Sequence, residues 1–234
     1  MGTSGYQYDH WKDVFYPANL PKKSWFDHYT KFFNTVEINN TFYNLPAAET
    51  FDKWRERTPQ GFCYTLKFSR YGTHIKRLKE PDNSIGNFVE RAERLGEVLG
   101  PILVQLPPKW KPVPDRLDAF LEQTPDKYRW CVEVRDPRWL CEEIYDVLRR
   151  HNAALCIHDM IENHPRILTA DWTYLRYHGI NYGGDYSDEV LQREAEDIRN
   201  RLAQGIDTYA FFNNDAEGCA VKDAQDLHRF VQEG

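Results

Sequence analysis

Ionisable side chains alternate with apolar ones in three short segments of this chain. The segments are Val36-Glu37-Ile38-Asn39, Val132-Glu133-Val134-Arg135 and Leu175-Arg176-Tyr177-His178. Successive side chains of a strand point to opposite faces, so Glu37, Glu133 and Arg176 are each predicted to lie opposite the apolar residues. Isolated charges are costly to bury, so these groups must pair, bind a ligand or reach solvent.

Two of these residues, Glu37 and Glu133, could divide acid and base roles between them if their surroundings differ. His178 could transfer a proton near neutral pH. We therefore expect Glu37, Glu133 and His178 to be catalytic. The alternative is a structural polar network, in which charges such as Glu37 and Lys67 only neutralise each other. Their convergence at one end of the strands favours function.

Further polar residues follow the same alternation or lie in adjoining loops, and cations and amides of this kind could hold an anionic, hydroxylated substrate. The expected substrate-binding residues are Asn39, Lys67, His74, Gln105, Arg135, Asp159, Arg176 and Asn213. Two segments leave their inward residue open: His158 or Asp159 in one, Asn213 or Asn214 in the other.

Glu37, Glu133, Asp159 and His178 are also oxygen or nitrogen ligands of the kind that bind Mn, Mg or Zn. A divalent metal is nevertheless not favoured, because HxH and HExxH spacings are absent and neighbouring Lys and Arg would compete for the carboxylates. No organic cofactor motif is present. The hypotheses are an acid–base enzyme of hydrolase or lyase type, a metal-dependent phosphoesterase or nuclease, and a non-catalytic ligand-binding barrel.

The segment Arg70–Lys79 concentrates positive charge in a chain whose formal net charge is −6. A solvated approach to a helix and an anion-binding loop fit this segment equally well. The acidic balance places nucleic-acid binding last among the hypotheses. Aromatic rings in the expected mouth loops would suit a ring-shaped ligand. They are Tyr6, Tyr8, Trp11, Phe42, Tyr43, Tyr71, Trp110, Trp139, Tyr182 and Tyr186.

The length of 234 residues suits one domain, expected to span 1–234. Its five cysteines are widely spaced without a CxxC pair, and no segment has the length and hydropathy of a membrane span. These features predict a cytoplasmic protein that is not inserted in a membrane. The polar residues described above predict that its partner is a small molecule. No pattern indicates an oligomeric state.

Short β-branched or aromatic segments alternate with helical patterns along the whole chain, which predicts parallel strands joined by helical crossovers. The expected strands are Gly2–Gly5, Thr35–Asn39, Phe62–Ser69, Ile102–Leu106, Trp130–Arg135, Ala154–Asp159, Tyr174–Gly179 and Thr208–Asn213. The expected helices are Lys22–Asn34, Ala47–Thr58, Asn87–Leu99, Arg116–Gln123, Cys141–His151, Asp188–Gln204 and Lys222–Gln232. The connection 163–171 has room for only a helical turn. Eight such units favour a (β/α)8 barrel with a short first strand over an open doubly wound sheet.

Several motifs, in order along the chain, resemble the YecE-like family of TIM-barrel proteins, a domain of unknown function. They include Gly2-Thr3-Ser4-Gly5-Tyr6, Phe15-Tyr16-Pro17, Val36-Glu37-Ile38-Asn39, Phe42-Tyr43, Lys67, Thr73-His74, Lys76-Arg77-Leu78, Gln105-Leu106-Pro107-Pro108, Val132-Glu133-Val134-Arg135, Arg176-Tyr177-His178-Gly179 and the segment Phe212–Gly218. The resemblance covers nearly the whole chain. It implies the barrel fold and supplies no reaction.

Overall fold

Eight parallel strands form one sheet in the computed structural model, which describes residues 1–179 and 183–234. The strands are β1 Gly2–Thr3, β2 Thr35–Ile38, β3 Cys63–Lys67, β4 Leu99–Gln105, β5 Trp130–Glu133, β6 Ala154–His158, β7 Trp172–Tyr177 and β8 Asp207–Phe212. Their order along the sheet is β1-β8-β7-β6-β5-β4-β3-β2. This confirms the (β/α)8 barrel with a short first strand.

The barrel closes where β1 meets β2. Beyond the end of β1, Ser4 forms a parallel bridge with Glu37, and the amide of Gly5 donates to the Glu37 carbonyl at 2.8 Å. The Tyr29 hydroxyl joins the two strands by accepting from the amide of Thr3 and donating to the Thr35 carbonyl. A Cβ on Gly2 would lie 2.0 Å from that carbonyl oxygen. The first strand therefore needs glycine so that its backbone can approach β2.

The helices surround the sheet, and most lie within three residues of the bounds expected. They are α1 Trp25–Tyr29, α2 Asn40–Tyr43, α3 Ala48–Arg57, α4 Pro81–Ala92, α5 Pro114–Leu121, α6 Glu142–Arg150, α7 Asp188–Ala203 and α8 Cys219–Glu233. The first, expected over Lys22–Asn34, is instead a 3-10 helix over Lys22–Ser24 followed by an α-helix that ends at Tyr29. The expected helix at Asn87–Leu99 begins six residues earlier, at Pro81, a residue that suits the first turn of a helix. It continues as a 3-10 helix over Glu93–Val98, and Leu99 belongs to β4.

Two local features depart from the expected alternation. A short α2 follows β2, and a π-helix spans Tyr71–Ile75 within the basic segment. The connection from β6 to β7, residues 159–171, contains turns and extended chain without a helix, and all of it lies in the described part. The layer of helices is therefore incomplete between α6 and α7.

Two groups of buried side chains follow the strand alternation. Outward residues such as Val36, Val104 and Leu175 pack beneath the helices in the larger core. Seven others fill the inside of the barrel: Leu103, Cys131, Ala154, Cys156, Trp172, Tyr174 and Phe211. Inward positions nearer the C-terminal strand ends carry the polar residues, as in TIM-barrel enzymes.

No helix in the described residues has both the length and the apolar character needed to cross a membrane.

Of the aromatic residues expected near the mouth, Trp11, Trp110 and Trp139 are buried, whereas Tyr43 and Tyr71 are exposed. Tyr182 lies outside the described residues.

Candidate functional site

A buried guanidinium joins the two glutamates expected to be catalytic. Arg176 on β7 donates from Nε and Nη2 to the Glu37 carboxylate at 3.0 and 2.8 Å, and from Nη1 to Glu133 Oε2 at 2.5 Å. The side chains of Glu37 and Glu133 have no exposed surface, and that of Arg176 is 1% exposed. A charge-assisted triad at this depth fixes three strands relative to one another.

The Glu37 carboxylate receives two further hydrogen bonds, from the hydroxyls of Ser4 at 2.8 Å and Tyr174 at 2.6 Å. Burial acts to raise the pKa of Glu37, but the Arg176 guanidinium and the Lys67 ammonium outweigh it and hold the pKa below its usual value. Glu37 is thus held ionised, with both carboxylate oxygens engaged.

Glu133 is engaged in the same way on the other side of Arg176. Its Oε1 accepts from Arg135 Nε, and the Cys156 thiol contacts its Oε2 at 3.8 Å. Burial again acts to raise the pKa, whereas Arg176 and Arg135 hold the pKa of Glu133 well below its usual range. Neither glutamate is arranged to exchange protons readily at neutral pH.

His178 lies above Arg176 and is held by Asp159. The Asp159 carboxylate contacts His178 Nδ1 at 3.0 Å and accepts from the His178 backbone amide at 3.0 and 3.1 Å. Tyr186 also donates to this carboxylate through its hydroxyl. The other ring nitrogen, Nε2, lies 3.3 Å from a guanidinium nitrogen of each of Arg135 and Arg176.

The tautomer of His178 follows from these partners. Burial acts to raise the pKa of Asp159, but the hydrogen bonds from His178 and Tyr186 outweigh it and leave the pKa below its usual value, so this carboxylate only accepts hydrogen bonds. Nδ1 therefore carries the hydrogen. Guanidinium groups only donate, so Nε2 presents its lone pair toward Arg135 and Arg176.

Lys67 and Arg135 bring positive charge to the more accessible part of the mouth. Lys67 Nζ lies 4.5 Å from the ring centre of Phe42, and burial, with Arg176 nearby, lowers the pKa of Lys67 to about 8. Arg135 retains 15% side-chain exposure and donates weakly to Gln105 Oε1 at 3.4 Å. Both cations could contact a ligand that enters the barrel.

His74, on the π-helix, packs edge-on against Phe42 with ring centres 5.1 Å apart, beside Lys67. Burial and the nearby Arg70 and Lys67 lower the pKa of His74. In the same segment, Lys76 pairs with Glu80 at 2.7 Å. The basic segment thus contributes His74 to the mouth, while part of its positive charge is neutralised locally.

Asn39 and Asn213 stand apart from the hydrogen-bonded cluster. Asn39 lines a separate cavity with Gly5 and Tyr8, and its buried Oδ1 has no hydrogen-bond partner among the residues described. Asn213 has the strand parity of Phe211, which points inward. Asn214 instead donates to Asp223 between β8 and α8, so Asn213 remains the inward residue of this pair.

The structure adds residues to the site that the sequence did not single out: Ser4 and Tyr174 hold Glu37, and Met160 Sδ contacts Arg135. Tyr186, expected only as an aromatic residue of the mouth loops, holds Asp159 through its hydroxyl. Tyr174 could have been found, because it shares the parity of Arg176. Both residues left open in β6 contribute: Asp159 holds His178, and His158 points inward but bonds to the Val134 carbonyl at 2.8 Å.

Replacing Arg176 with methionine should expose the cost of burying Glu37 and Glu133 without a cation. We expect Arg176→Met to destabilise the protein by about 3–5 kcal/mol near neutral pH. In the variant the buried carboxyls have raised pKa values and are protonated earlier as pH falls. The loss of unfolding free energy relative to the wild type should therefore shrink as pH falls through these raised values toward the usual 4.5. Urea unfolding at about pH 7 and about pH 4.5 measures this.

The control is Arg229→Met, which removes an exposed guanidinium paired with Asp226 on α8. It should change the urea midpoint little at either pH. An Arg176→Met protein as stable as the Arg229→Met protein would contradict the proposed importance of the buried triad.

The amino-acid sequence matches a protein family along its whole length. The model of a family described as "Protein of unknown function DUF72" matches residues 1–234. The UPF0759 protein YecE of Escherichia coli (strain K12) is 33% identical over 118 residues, which are 50% of this chain and 43% of that protein. The match therefore spans less than half the length of YecE. The UPF0759 protein YunF of Bacillus subtilis (strain 168) is 25% identical over 97% of this chain and 92% of its own length.

Solved structures similar to this chain are of proteins from the same family. A DUF72 family protein from Thermotoga maritima superposes with a TM-score of 0.89 at 31% identity, covering 99% of this chain and 98% of its own. A second, from Enterococcus faecalis, has a TM-score of 0.81 at 15% identity, covering 99% and 94%, and supports the fold alone. The resemblance to YecE-like proteins is thus confirmed, and the chain belongs to the DUF72 family of proteins of unknown function.

Proposed function

We propose that the barrel mouth binds a small, anionic, hydroxylated molecule and that His178 removes a proton from it. The observation that carries this proposal is the placement of His178. Its Nδ1 is held by Asp159 at 3.0 Å, and its Nε2 faces Arg135 and Arg176 at 3.3 Å. A base oriented by a carboxylate, next to groups that stabilise negative charge, is the arrangement that proton transfer requires.

In this mechanism Nε2 of His178 accepts a proton from a substrate hydroxyl. Asp159 stabilises the imidazolium that forms, because its carboxylate already accepts from Nδ1. Arg135 and Arg176 lie on the same side as Nε2 and stabilise the oxygen as it becomes negative. In a lyase the resulting alkoxide becomes a carbonyl as the adjacent C–C bond breaks and its electron pair leaves on carbon, whereas in a hydrolase the same Nε2 would instead take its proton from the attacking water.

The anionic group of the substrate is assigned to Lys67 and Arg135, with Gln105 and His74 beside them. Charge supports this assignment: the carboxylates of Glu37 and Glu133 are fully buried, whereas Arg135 remains partly exposed. Lys67 is not paired with a carboxylate within salt-bridge distance in the described residues. A phosphate or carboxylate of the substrate would supply its counter-charge.

We assign Glu37 and Glu133 to positioning, which differs from the acid and base roles expected from the sequence. Their carboxylates already accept from Arg176, and their depressed pKa values make them poor proton carriers at neutral pH. Through Arg176 and Arg135 they place the guanidinium groups that face His178.

A metal-dependent phosphoesterase or nuclease suits this site less well, because Arg176 and Arg135 already engage a carboxylate that would otherwise bind a cation. Apart from residues 180–182, no three His, Cys, Asp or Glu side chains are grouped so as to hold a metal ion. A non-catalytic ligand-binding barrel is the second candidate, since the engagement of Glu37 and Glu133 favours binding over chemistry by these two residues.

Anion binding can be tested with glycerol 3-phosphate as the probe and glycerol as its neutral analogue. We expect Lys67→Met to weaken the affinity for glycerol 3-phosphate by about tenfold, as loss of one charge-assisted contact implies. Because the pKa of Lys67 is lowered to about 8, the wild-type affinity should fall as pH rises above that value. Because a bound anion favours the charged form of Lys67, the fall in affinity should occur at somewhat higher pH than the pKa of the free protein. Isothermal titration calorimetry measures both effects.

Two variants control this experiment. Lys67→Arg keeps its charge at high pH and should keep its affinity there, and Lys53→Met removes an exposed charge on α3. Equal affinities of the wild type and Lys67→Met would contradict the assigned anion site.

Turnover tests the role of His178. On whichever phosphorylated polyol of a screened panel the wild type converts, His178→Gln should lower kcat by roughly 10²–10⁴-fold, because the base is lost, with little change in binding. Product formation followed by ³¹P NMR gives kcat, and His228→Gln on α8 is the matched control.

Undiminished kcat in His178→Gln would refute the proton-transfer role. Binding of glycerol 3-phosphate without turnover of any compound in the panel would instead favour the non-catalytic barrel.

A further inference from the structure

A second cavity lies outside the barrel, where a helix is missing between β6 and β7. Its volume is about 290 Å³. The outward side chains Ile157, Leu175 and Tyr177 form its floor, and Val190 of α7 forms one side. Ile161 and His164 from the connection between β6 and β7 cover it. Asp159 and Arg176, which belong to the mouth, border the cavity at its inner end.

The charged groups around this cavity are already paired. The Glu194 carboxylate accepts from Arg166 at 2.7 and 3.0 Å and from the Tyr177 hydroxyl at 2.7 Å. Asp159 accepts from His178 and Tyr186. Glu162 is exposed at the rim. The interior therefore suits an uncharged ligand, because a charged one would lose its hydration without finding a free counter-charge.

The imidazole of His158, which points inward from β6, borders the cavity at its inner end beside His164, and its two nitrogens are both engaged. A carbonyl oxygen only accepts, so Nε2 donates to the Val134 carbonyl at 2.8 Å and Nδ1 accepts from the Met160 amide at 3.2 Å. Burial also lowers the pKa of His158 to about 4, which keeps the ring neutral. It offers a flat neutral surface against which a ring can pack.

His164 differs, because one of its nitrogens lacks a partner. Its Nδ1 lies 2.9 Å from the Pro165 carbonyl oxygen, so Nδ1 carries the hydrogen and Nε2 is an acceptor. Nε2 is buried and unpartnered among the residues described. The ring centres of His164 and His158 are 4.7 Å apart. A buried acceptor without a donor is a costly arrangement that a ligand can relieve.

We propose that this cavity is a second ligand site, for an uncharged ring that carries a hydroxyl or N–H group donating to His164 Nε2. The volume is close to the lower end of ordinary small-molecule pockets and limits the ligand to about one ring. The proposal does not rest on the proposed function, because it depends on His164 and Val190, which have no part in it. Asp159 and Arg176 border both sites, but their polar atoms are engaged by other residues.

The test uses the full chain and two matched probes, 4-fluorophenol and 4-fluoroanisole, which differ in the hydroxyl donor. Titration followed by ¹⁹F NMR should show 4-fluorophenol binding about tenfold more tightly than 4-fluoroanisole. His164→Phe keeps the ring and removes the acceptor, so it should abolish this preference. Val190→Trp fills the cavity and should prevent binding, whereas Gln192→Trp, at an exposed position of the same helix, should not.

A direct reading comes from the ¹⁵N shift of His164 Nε2, which 4-fluorophenol should move in the unaltered protein. This measurement also decides the matter if Val190→Trp fails to fold. Lys67→Met should bind 4-fluorophenol as the wild type does, which separates this site from the mouth. Absence of binding at millimolar probe, equal affinity for the two probes, or an unmoved His164 resonance would overturn the proposal.

Discussion

The Arg176 guanidinium lies between two carboxylates that have no exposed surface, and the remainder of the mouth depends on this contact. Glu37 on β2 and Glu133 on β5 approach Arg176 on β7 from opposite sides of the barrel. Each ion alone would be strongly destabilised at this depth, so the three strands must be in register for any of the charges to be tolerated. The bridge between Ser4 and Glu37, which closes the barrel, supports the same carboxylate that Arg176 requires. Closure of the barrel and formation of the triad are therefore coupled.

The triad also sets the chemistry available above it. Because Glu133 accepts from both Arg176 and Arg135, two guanidinium groups are held beside Nε2 of His178. Asp159 fixes the opposite nitrogen of that ring and is itself fixed by Tyr186. The buried glutamates supply the negative charge that stabilises these cations, while the cations remain closer to the opening. In our proposal the substrate anion takes its place opposite Lys67 and Arg135, and His178 is the base.

The alternation of apolar and polar residues was sufficient to predict the inward position of Glu37, Glu133 and Arg176, because parity depends only on strand geometry. Their mutual pairing could not be predicted, since it depends on which strands face each other across the barrel and on the height of each residue along the barrel axis. The same limit applies to Asp159, whose bond to His178 arises in a turn after β6, where parity no longer holds. The start of α4 at Pro81 could have been read from the proline, and the shortness of the connection between β6 and β7 already left room for no more than a helical turn. The cavity bounded by His164 is a consequence of that missing helix.

Glu37 and Glu133 are assigned here to hold charge and not to carry protons. A ¹³C NMR titration of the glutamate side-chain carboxyl carbons, from about pH 8 to about pH 4, distinguishes these two roles. Both carboxyls should remain ionised down to their usual pKa of 4.5 and take up a proton only below it. Uptake of a proton by either glutamate between about pH 5 and 7 would show that this assignment is wrong and would restore that residue as a candidate acid or base.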